Sequence, residues 1–154
     1  MIDIRNISYS FDGFDVLKDI SFNIKNGEKV GIVGPSGCGK TTFLKILSGI
    51  LSQNNGEILK DTKNIAFIFQ DNRLLENLTV YENIKIVLKD ENAEKIKDII
   101  KKVGLYGFEN FLVKKLSGGM KKRVNIARAF YYNPDLLLAD EPFSGLDYPL
   151  RAKR

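Results

Sequence analysis

The 154-residue sequence contains one cysteine, no histidine and no tryptophan. The single cysteine, Cys38, excludes an internal disulfide, which fits a reducing cytosol. No apolar run reaches the roughly 18 residues that a membrane-spanning helix needs. Charges at Asp3 and Arg5 interrupt the N-terminus too early for a signal peptide. These absences predict a soluble chain that is not exported.

Internal repeats and low-complexity segments are also absent from the sequence. With 44% hydrophobic and 28% charged residues, the chain has the composition of one globular domain rather than of a disordered or fibrous segment. The net charge of +5 would suit a nucleic acid or an acidic membrane surface. We prefer a simpler interpretation, in which most lysines lie on exposed helix faces and a nucleotide site uses some of the positive potential.

The hydrophobic period first predicts strands. Residues 2–11 and 14–24 alternate loosely, which predicts two strands of a mainly antiparallel layer. The stretch "SQNNGE" at 52–57 is interpreted as a loop. Short apolar runs that are typical of buried strands lie at residues 29–34, 64–69 and 135–139.

Helical spacing appears in three places between these strands. It predicts a helix over 41–51, one or two amphipathic helices over 79–103, and a helix over 118–132 that ends at Asn133-Pro134. The predicted fold is therefore α/β, with an N-terminal antiparallel β layer, a parallel core sheet and a helical insert between Gln70 and Pro134.

The strongest chemical signal is "GPSGCGKT" at 34–41, which follows a predicted strand, opens a predicted helix and satisfies G-x-x-x-x-G-K-[ST]. Its glycines let backbone N–H groups turn inward around phosphate oxygens, and the helix adds the positive end of its dipole. Lys40 supplies charge for the outer phosphates, and the Thr41 hydroxyl can ligate Mg²⁺. A glycine-rich turn with an incidental lysine is the alternative. Cys38 is either an oxidisable thiol or simply a small side chain.

Two adjacent acids, Asp140 and Glu141, follow the last apolar strand at its carboxyl end, where ligands bind in open parallel sheets. Adjacent side chains of a strand point in opposite directions. We therefore assign Asp140 to the metal and Glu141 to the attacking water. A helix cap or a surface turn is the alternative for an acidic pair, and the P-loop in the same chain favours chemistry.

A second anion-binding helix start is predicted within "KLSGGMKKRVNIARA" at 115–129. Ser117 is a plausible N-cap, and Gly118 and Gly119 leave the first amides of the helix open. Read locally, the same residues describe only a capped helix with a basic first turn.

Together these motifs resemble the nucleotide-binding domain of an ABC transporter over essentially the whole chain. "GPSGCGKTT" resembles Walker A, "LSGGM" the signature motif, "LLLADE" Walker B with its catalytic glutamate, and "SGLD" the D-loop. The resemblance implies ATP contacts at Gly34, Pro35, Ser36, Gly37, Cys38, Gly39, Lys40, Thr41 and Thr42. It implies a D-loop at Ser144, Gly145, Leu146 and Asp147.

The resemblance also assigns residues that the local patterns do not. Gln70, at the end of "AFIFQ", matches the Q-loop glutamine, which in the family contacts Mg²⁺ and the water and senses the membrane subunits. Phe11 falls where the family places an aromatic ring that stacks on adenine, and Tyr9 is the fallback. Ordinary strand packing is the alternative for both aromatic residues.

The family implies that two such domains pair head to tail, so that the Ser117 helix of one closes over ATP held by Lys40 of the other. The implied partners are a second ATPase subunit, transmembrane permease subunits and, for an importer, an extracytoplasmic solute-binding protein. No nucleic acid is expected. The implied location is peripheral, on the cytoplasmic side of the membrane. "FQDNRLLENLTVYENI" and the compact insert look similar to importer ATPases of the nitrate, sulfonate and taurine type.

Two departures from the family pattern stand out. Met120 replaces the usual glutamine of the signature, with a modest expected effect. The family's histidine that follows Walker B has no counterpart, so we expect a chain cut after the D-loop and doubt that it folds stably alone. The predicted parts are a β layer with the P-loop core at 1–74, a helical subdomain at 75–133, and Walker B with the D-loop at 134–154.

Three other functions remain open at this point. An ABC ATPase that exports lipids or lipoproteins, or that acts in cell division, is the first. A truncated fragment that binds ATP without hydrolysing it is a second possibility. A nucleic-acid-handling ABC ATPase is a third, although such proteins need long coiled-coil insertions and no heptad run is present.

Overall fold

The computed structural model describes residues 1–144. The chain divides into two compact units, Met1–Ile65 and Ala66–Arg154, of which the second is described up to Ser144. The α/β class with an antiparallel β layer is confirmed. The division of the chain at residues 74 and 133 stays a prediction.

The first unit contains a three-stranded antiparallel sheet. Its strands are β1 (Ile2–Phe11), β2 (Phe14–Ile24) and β3 (Asn55–Lys60), in the order β2-β1-β3. The predictions for β1 and β2 are confirmed. The prediction of a loop at 52–57 is confirmed for 52–54 and wrong for 55–57, because β1 pairs with β3 from Ile2 opposite Lys60 to Ser8 opposite Asn55. Asn55 and Gly56 have turn chemistry, which pairing with a distant strand overrides.

Helix α1 (Lys40–Ser48) buries the side chains of Phe43, Leu44, Ile46 and Leu47. The ring of Phe43 lies 5.7 Å from that of Phe22 on β2. The helix ends three residues before the predicted limit of 51, since Gly49 adopts a left-handed conformation with φ 81°. The N–H groups of Gly49, Ile50 and Leu51 then bond back to the last turn.

The prediction of a strand buried on both faces at residues 29–34 is wrong. Within the described residues, no strand pairs with this segment, and it adopts no regular structure. Val30, Ile32 and Val33 are 48%, 40% and 95% exposed. The apolar run has the composition of a buried strand, but such a strand exists only where a neighbour supplies the other half of its hydrogen-bond ladder.

The second sheet consists of β4 (Ile65–Ile68) and β5 (Leu136–Ala139). Both strands lie within the segments predicted as buried strands. Ala66 and Ile68 form a small core cluster with Ala129. The backbone N–H of Asp140 donates to the Ile68 carbonyl at 2.9 Å, so contact between the two segments continues past the end of β5.

Three helices follow β4: α2 (Val80–Lys85), α3 (Ala93–Lys102) and α4 (Gly118–Tyr132). A 3-10 turn at Val113–Lys115 precedes α4. The segment 79–103 is thus two helices. Their shared core includes Val80, Ile84, Ile100, Val124 and Tyr131. Within residues 1–144, no helix combines the length and the apolar character needed to cross a bilayer.

Candidate functional site

The P-loop of the first unit ends in a glycine that no other residue can replace without strain. Gly39 is the N-cap of α1 with φ 93°. A Cβ at this position would lie 2.9 Å from Leu17 Cδ2 and 3.0 Å from the Val16 carbonyl oxygen. No side chain caps the helix, so its N-terminus is shaped to meet an anion through backbone groups.

The Lys40 ammonium lies across the loop. Its Nζ donates to the carbonyl oxygens of Gly34 and Pro35, each at 2.8 Å, and lies 3.8 Å from Cys38 Sγ. A phosphate at this position would replace the neutral carbonyl acceptors by charged oxygens, so that each hydrogen bond from the ammonium also becomes an ion pair. The Cys38 thiol is exposed and lies against Gly34, where a Cβ would meet Sγ at 2.7 Å. This contact favours the interpretation of Cys38 as a small side chain that fits the loop.

The predicted adenine-stacking residue lies at the end of the β1–β2 hairpin. Phe11 pairs with Phe14 across the hairpin, and the two side chains are 61% and 77% exposed. Tyr9 is half-buried. The exposure of Phe11 argues against ordinary core packing, and its role with adenine stays a prediction.

Beyond β5, the two predicted acids lie in opposite environments. Asp140 is buried at 6% exposure, whereas Glu141 is exposed. Glu141 has φ 47°, which is uncommon for a residue with a side chain and is often found at functional sites. Its carbonyl accepts bonds from the Ser144 N–H at 3.2 Å and the Ser144 hydroxyl at 3.0 Å. Lys122 of α4 donates to both the carbonyl and hydroxyl oxygens of Ser144.

The structure joins Glu141 to the predicted Q-loop residue. Gln70 Nε2 donates to Glu141 Oε2 at 3.2 Å. The two residues follow β4 and β5, the two strands of one sheet. Sequence spacing alone cannot show this pairing, since 71 positions separate the two residues.

The predicted N-cap of α4 is confirmed. Ser117 Oγ accepts a bond from the Met120 N–H at 3.3 Å, and α4 begins at Gly118. A Cβ at Gly118 would meet nothing within 4 Å, so that face of the first turn is open. Met120 packs against the helical core, which gives this residue an apolar role in place of the family's glutamine. Ser144 begins the predicted D-loop, and Gly145, Leu146 and Asp147 lie outside the described residues.

Thr41, Gln70 and Asp140 are the predicted Mg²⁺ ligands. Within residues 1–144, no group of three His, Cys, Asp or Glu side chains could hold a metal by itself. Mg²⁺ does not require such a group, because it is usually bound by one or two carboxylates together with substrate phosphates and water. Hydroxyl, amide and carboxylate oxygens are the hard donors that it prefers, so the donor set fits the ion.

Sequence reasoning missed one polar group that binds the segment after Gln70. Arg128 of α4 donates to the carbonyl oxygens of Arg73 at 3.1 Å and Asn72 at 3.5 Å, and to Asn125 Oδ1 at 3.2 Å. Asn125 is buried. The available signal was two polar residues one turn apart on a helix with apolar neighbours.

Comparison with known proteins places this geometry in a family. The family model described as "ABC transporter" matches residues 17–144. The spermidine/putrescine import ATP-binding protein PotA of Mycoplasma capricolum is 44% identical over 167 residues, covering 98% of this chain and 48% of that protein. The aliphatic sulfonates import ATP-binding protein SsuB 2 of Pseudomonas syringae is 44% identical over 155 residues, covering 99% and 66%. The chain spans about half the length of the first of these relatives.

Solved structures agree with the sequence relatives. The ATP-binding cassette MJ0796, as a dimer bound to ADP and Pi, superposes with a TM-score of 0.86 at 30% identity, covering 96% of this chain and 76% of that one. CbiO1 of Clostridium perfringens, part of an ABC transporter complex, gives a TM-score of 0.81 at 31% identity, with coverages of 95% and 67%. The chain therefore belongs to the ABC transporter family, as an ATP-binding domain.

Proposed function

We propose that this chain binds and hydrolyses ATP as the energy-supplying subunit of an ABC importer. Its relatives are named as import ATP-binding proteins, and a solved relative holds ADP and Pi. The polyamine and sulfonate relatives are equally similar at 44% identity, although their solutes carry opposite charges. The proposal therefore extends to import and leaves the solute to the membrane partners.

The hydrogen bond between Gln70 and Glu141 is the observation that carries this proposal. It brings a carboxylate and an amide, both exposed, to one point beyond the ends of β4 and β5. In hydrolysis, a water oxygen attacks the γ-phosphorus in line with the bond to the β–γ bridging oxygen, which breaks to leave ADP and phosphate. Glu141 accepts the proton of the water, and Gln70 orients the carboxylate that accepts it.

The P-loop residues hold the nucleotide in this proposal. Backbone N–H groups of 34 and 36–42 surround the phosphates, and Lys40 exchanges its two carbonyl contacts for phosphate oxygens. Phe11 stacks on the adenine. Thr41, Gln70 and Asp140 would hold Mg²⁺, which neutralises phosphate charge when it is bound.

The open face of the first turn of α4 supports the proposed dimer. The N-terminus of α4 at Ser117, Gly118 and Gly119 is a second place for phosphate oxygens in a chain with one P-loop. In a head-to-tail pair, this helix closes over the nucleotide held by the other subunit. Permease subunits and an extracytoplasmic solute-binding protein complete the importer, with this chain peripheral on the cytoplasmic side of the membrane.

Substitution of Glu141→Gln tests the function. The neutral amide is expected to keep ATP binding and to lower phosphate release by about 10²- to 10⁴-fold, because the proton acceptor is lost. Glu94→Gln, an exposed change in the first turn of α3, is the matched control and is expected to change neither. Retained turnover in Glu141→Gln would contradict the assigned role. A non-hydrolysing ATP-binding fragment instead predicts binding without phosphate release by the unsubstituted chain.

A further inference from the structure

Two arginines of α4 bind backbone carbonyls rather than acids. Arg123 donates to the carbonyl oxygens of Gly104 at 3.0 Å and Val103 at 3.4 Å. Arg128 donates to those of Asn72 and Arg73, two and three positions after Gln70. Through Arg123, α4 thus binds the C-terminal end of α3, and through Arg128 it binds the turn after Gln70.

Arg128 is held in place by these carbonyls. Within residues 1–144, no carboxylate forms a salt bridge with it. Burial lowers the pKa of Arg128 from its ordinary value, which indicates that part of its hydration is lost. A charge taken from water without compensation is unfavourable, so the carbonyls and Asn125 Oδ1 are its essential partners.

The turn that Arg128 holds has an unusual backbone. Arg73 has φ 42°, a left-handed conformation that costs about 1 kcal/mol or more for a residue with a side chain. Its guanidinium lies 3.9 Å from the centre of the Phe69 ring, and Phe69 stacks on Phe67 at 4.2 Å. The aromatic stack holds the start of the turn, and the Arg128 fork holds its far side.

We propose that Arg128 is a positioning residue for the Gln70–Glu141 pair. By fixing the carbonyls of Asn72 and Arg73, it sets the turn from which the Gln70 amide reaches Glu141 Oε2. This inference deepens the proposed function and rests on it.

The same contacts connect the pair to the start of α4. Ser117 caps the helix that carries Arg128, and a rise of about 1.5 Å per residue places about 16 Å of rigid helix between them. A phosphate that displaces the N-terminus of α4 therefore displaces the Arg128 fork and the turn that it holds. Nucleotide contact at Ser117 would in this way adjust the geometry at Glu141.

Hydrogen exchange tests the positioning role without requiring turnover. In Arg128→Met, amides at 70–74 are expected to exchange about ten- to one-hundred-fold faster, as for loss of charged hydrogen bonds. Arg123→Met is the matched control. It is expected to speed exchange near 103–105 and to leave the exchange rates at 70–74 unchanged. Arg128→Lys keeps the charge but loses the two-pronged fork, so it should restore part of the protection. It also serves as the test variant if Arg128→Met does not fold.

A kinetic measurement separates positioning from a merely structural role. Arg128→Met is expected to lower kcat for ATP hydrolysis at least tenfold while KM changes less than threefold, because the Lys40 loop is unaltered. Unchanged exchange at 70–74, equally faster exchange throughout 66–144, or an unchanged kcat would each overturn the proposal. Absence of turnover in the unsubstituted chain would instead overturn the proposed function, and the exchange result would still decide whether Arg128 holds the turn.

Discussion

Gln70 and Glu141 share a hydrogen bond of 3.2 Å, although they lie in segments that follow two different strands. Both residues lie two positions beyond the end of a strand, Gln70 after β4 and Glu141 after β5. The Asp140 N–H to Ile68 carbonyl bond continues the contact of the two segments beyond the strands. The sheet itself therefore positions the pair, and a change in one residue should alter the other.

Loss of the Gln70 amide should affect catalysis more than stability. In Gln70→Ala we expect a fall in phosphate release of tenfold or more, because the Glu141 carboxylate loses its orienting donor. The free energy of unfolding should change by less than about 1 kcal/mol, since both groups are exposed. Turnover and urea unfolding are the measurements. Gln53→Ala removes an amide that donates to the Gly56 carbonyl and should leave turnover unchanged; equal turnover in both variants would contradict the pairing.

Gly56 should tolerate alanine much less well than Gly13. Both glycines have positive φ, 87° and 81°, so alanine carries a similar conformational cost at each. A Cβ at Gly56 would lie 2.4 Å from the carbonyl oxygens of Arg5 and Asn6, whereas one at Gly13 meets nothing within 4 Å. We expect Gly56→Ala to lower the free energy of unfolding by about 2 kcal/mol or more beyond Gly13→Ala. Thermal unfolding of the two variants checks the difference, and equal losses would contradict the clash.

Asn83 should be essential to the folding of the helical region. Its buried amide donates to the carbonyls of Leu75 and Thr79 at 2.9 Å, and its Oδ1 accepts from the Leu75 N–H at 2.9 Å. Asn83→Ala leaves these groups unpaired, which we expect to cost about 3 kcal/mol. Asn77→Ala, which loses only an exposed bond from Lys114, should cost less than about 1 kcal/mol. Urea unfolding followed by circular dichroism measures both, and a small loss in Asn83→Ala would show that water replaces the amide.

The hydroxyl of Tyr81 should titrate well above the ordinary tyrosine pKa. The pKa of Tyr81 is raised to about 12. The largest cause is the hydrogen bond to Glu91, and burial and the charge of Glu91 contribute less. Because the folded pKa is raised, the stabilisation is complete below the unfolded pKa of about 10 and is lost as the pH rises through about 12. Tyrosinate absorbance, compared with that of Tyr81→Phe, isolates this group. Glu91→Gln should return its pKa towards the ordinary value, whereas Tyr106→Phe should not affect it.

Local patterns predicted the elements whose signals are local. The alternation of β1 and β2 and the Ser117 and Asn133 ends of α4 were read from neighbouring residues. β3 was missed because its structure depends on pairing with β1, some fifty positions away. The prediction of a strand at residues 29–34 was wrong because an apolar run does not show whether a partner strand is present.

In the candidate site too, residues with local signals could be predicted from the sequence and long-range contacts could not. Motif spacing identified Lys40, Ser117 and Glu141, because glycines, caps and strand ends leave signatures in the sequence. The contact of Gln70 with Glu141 and the hydrogen bonds of Arg128 are visible only in the three-dimensional structure. Backbone carbonyls accept the Arg128 bonds, and every residue type presents such an acceptor, so no pattern of side chains marks them.

The exposed run at 29–34 has a consequence for handling the protein. Val30, Ile32 and Val33 present apolar surface on a segment that pairs with no strand in the described part of the chain. An unpaired, β-prone segment with exposed valines is a template for strands of other molecules. Concentrated preparations of this chain should therefore form cross-β aggregates, and a lysine at Val33 should act as a gatekeeper that delays their growth.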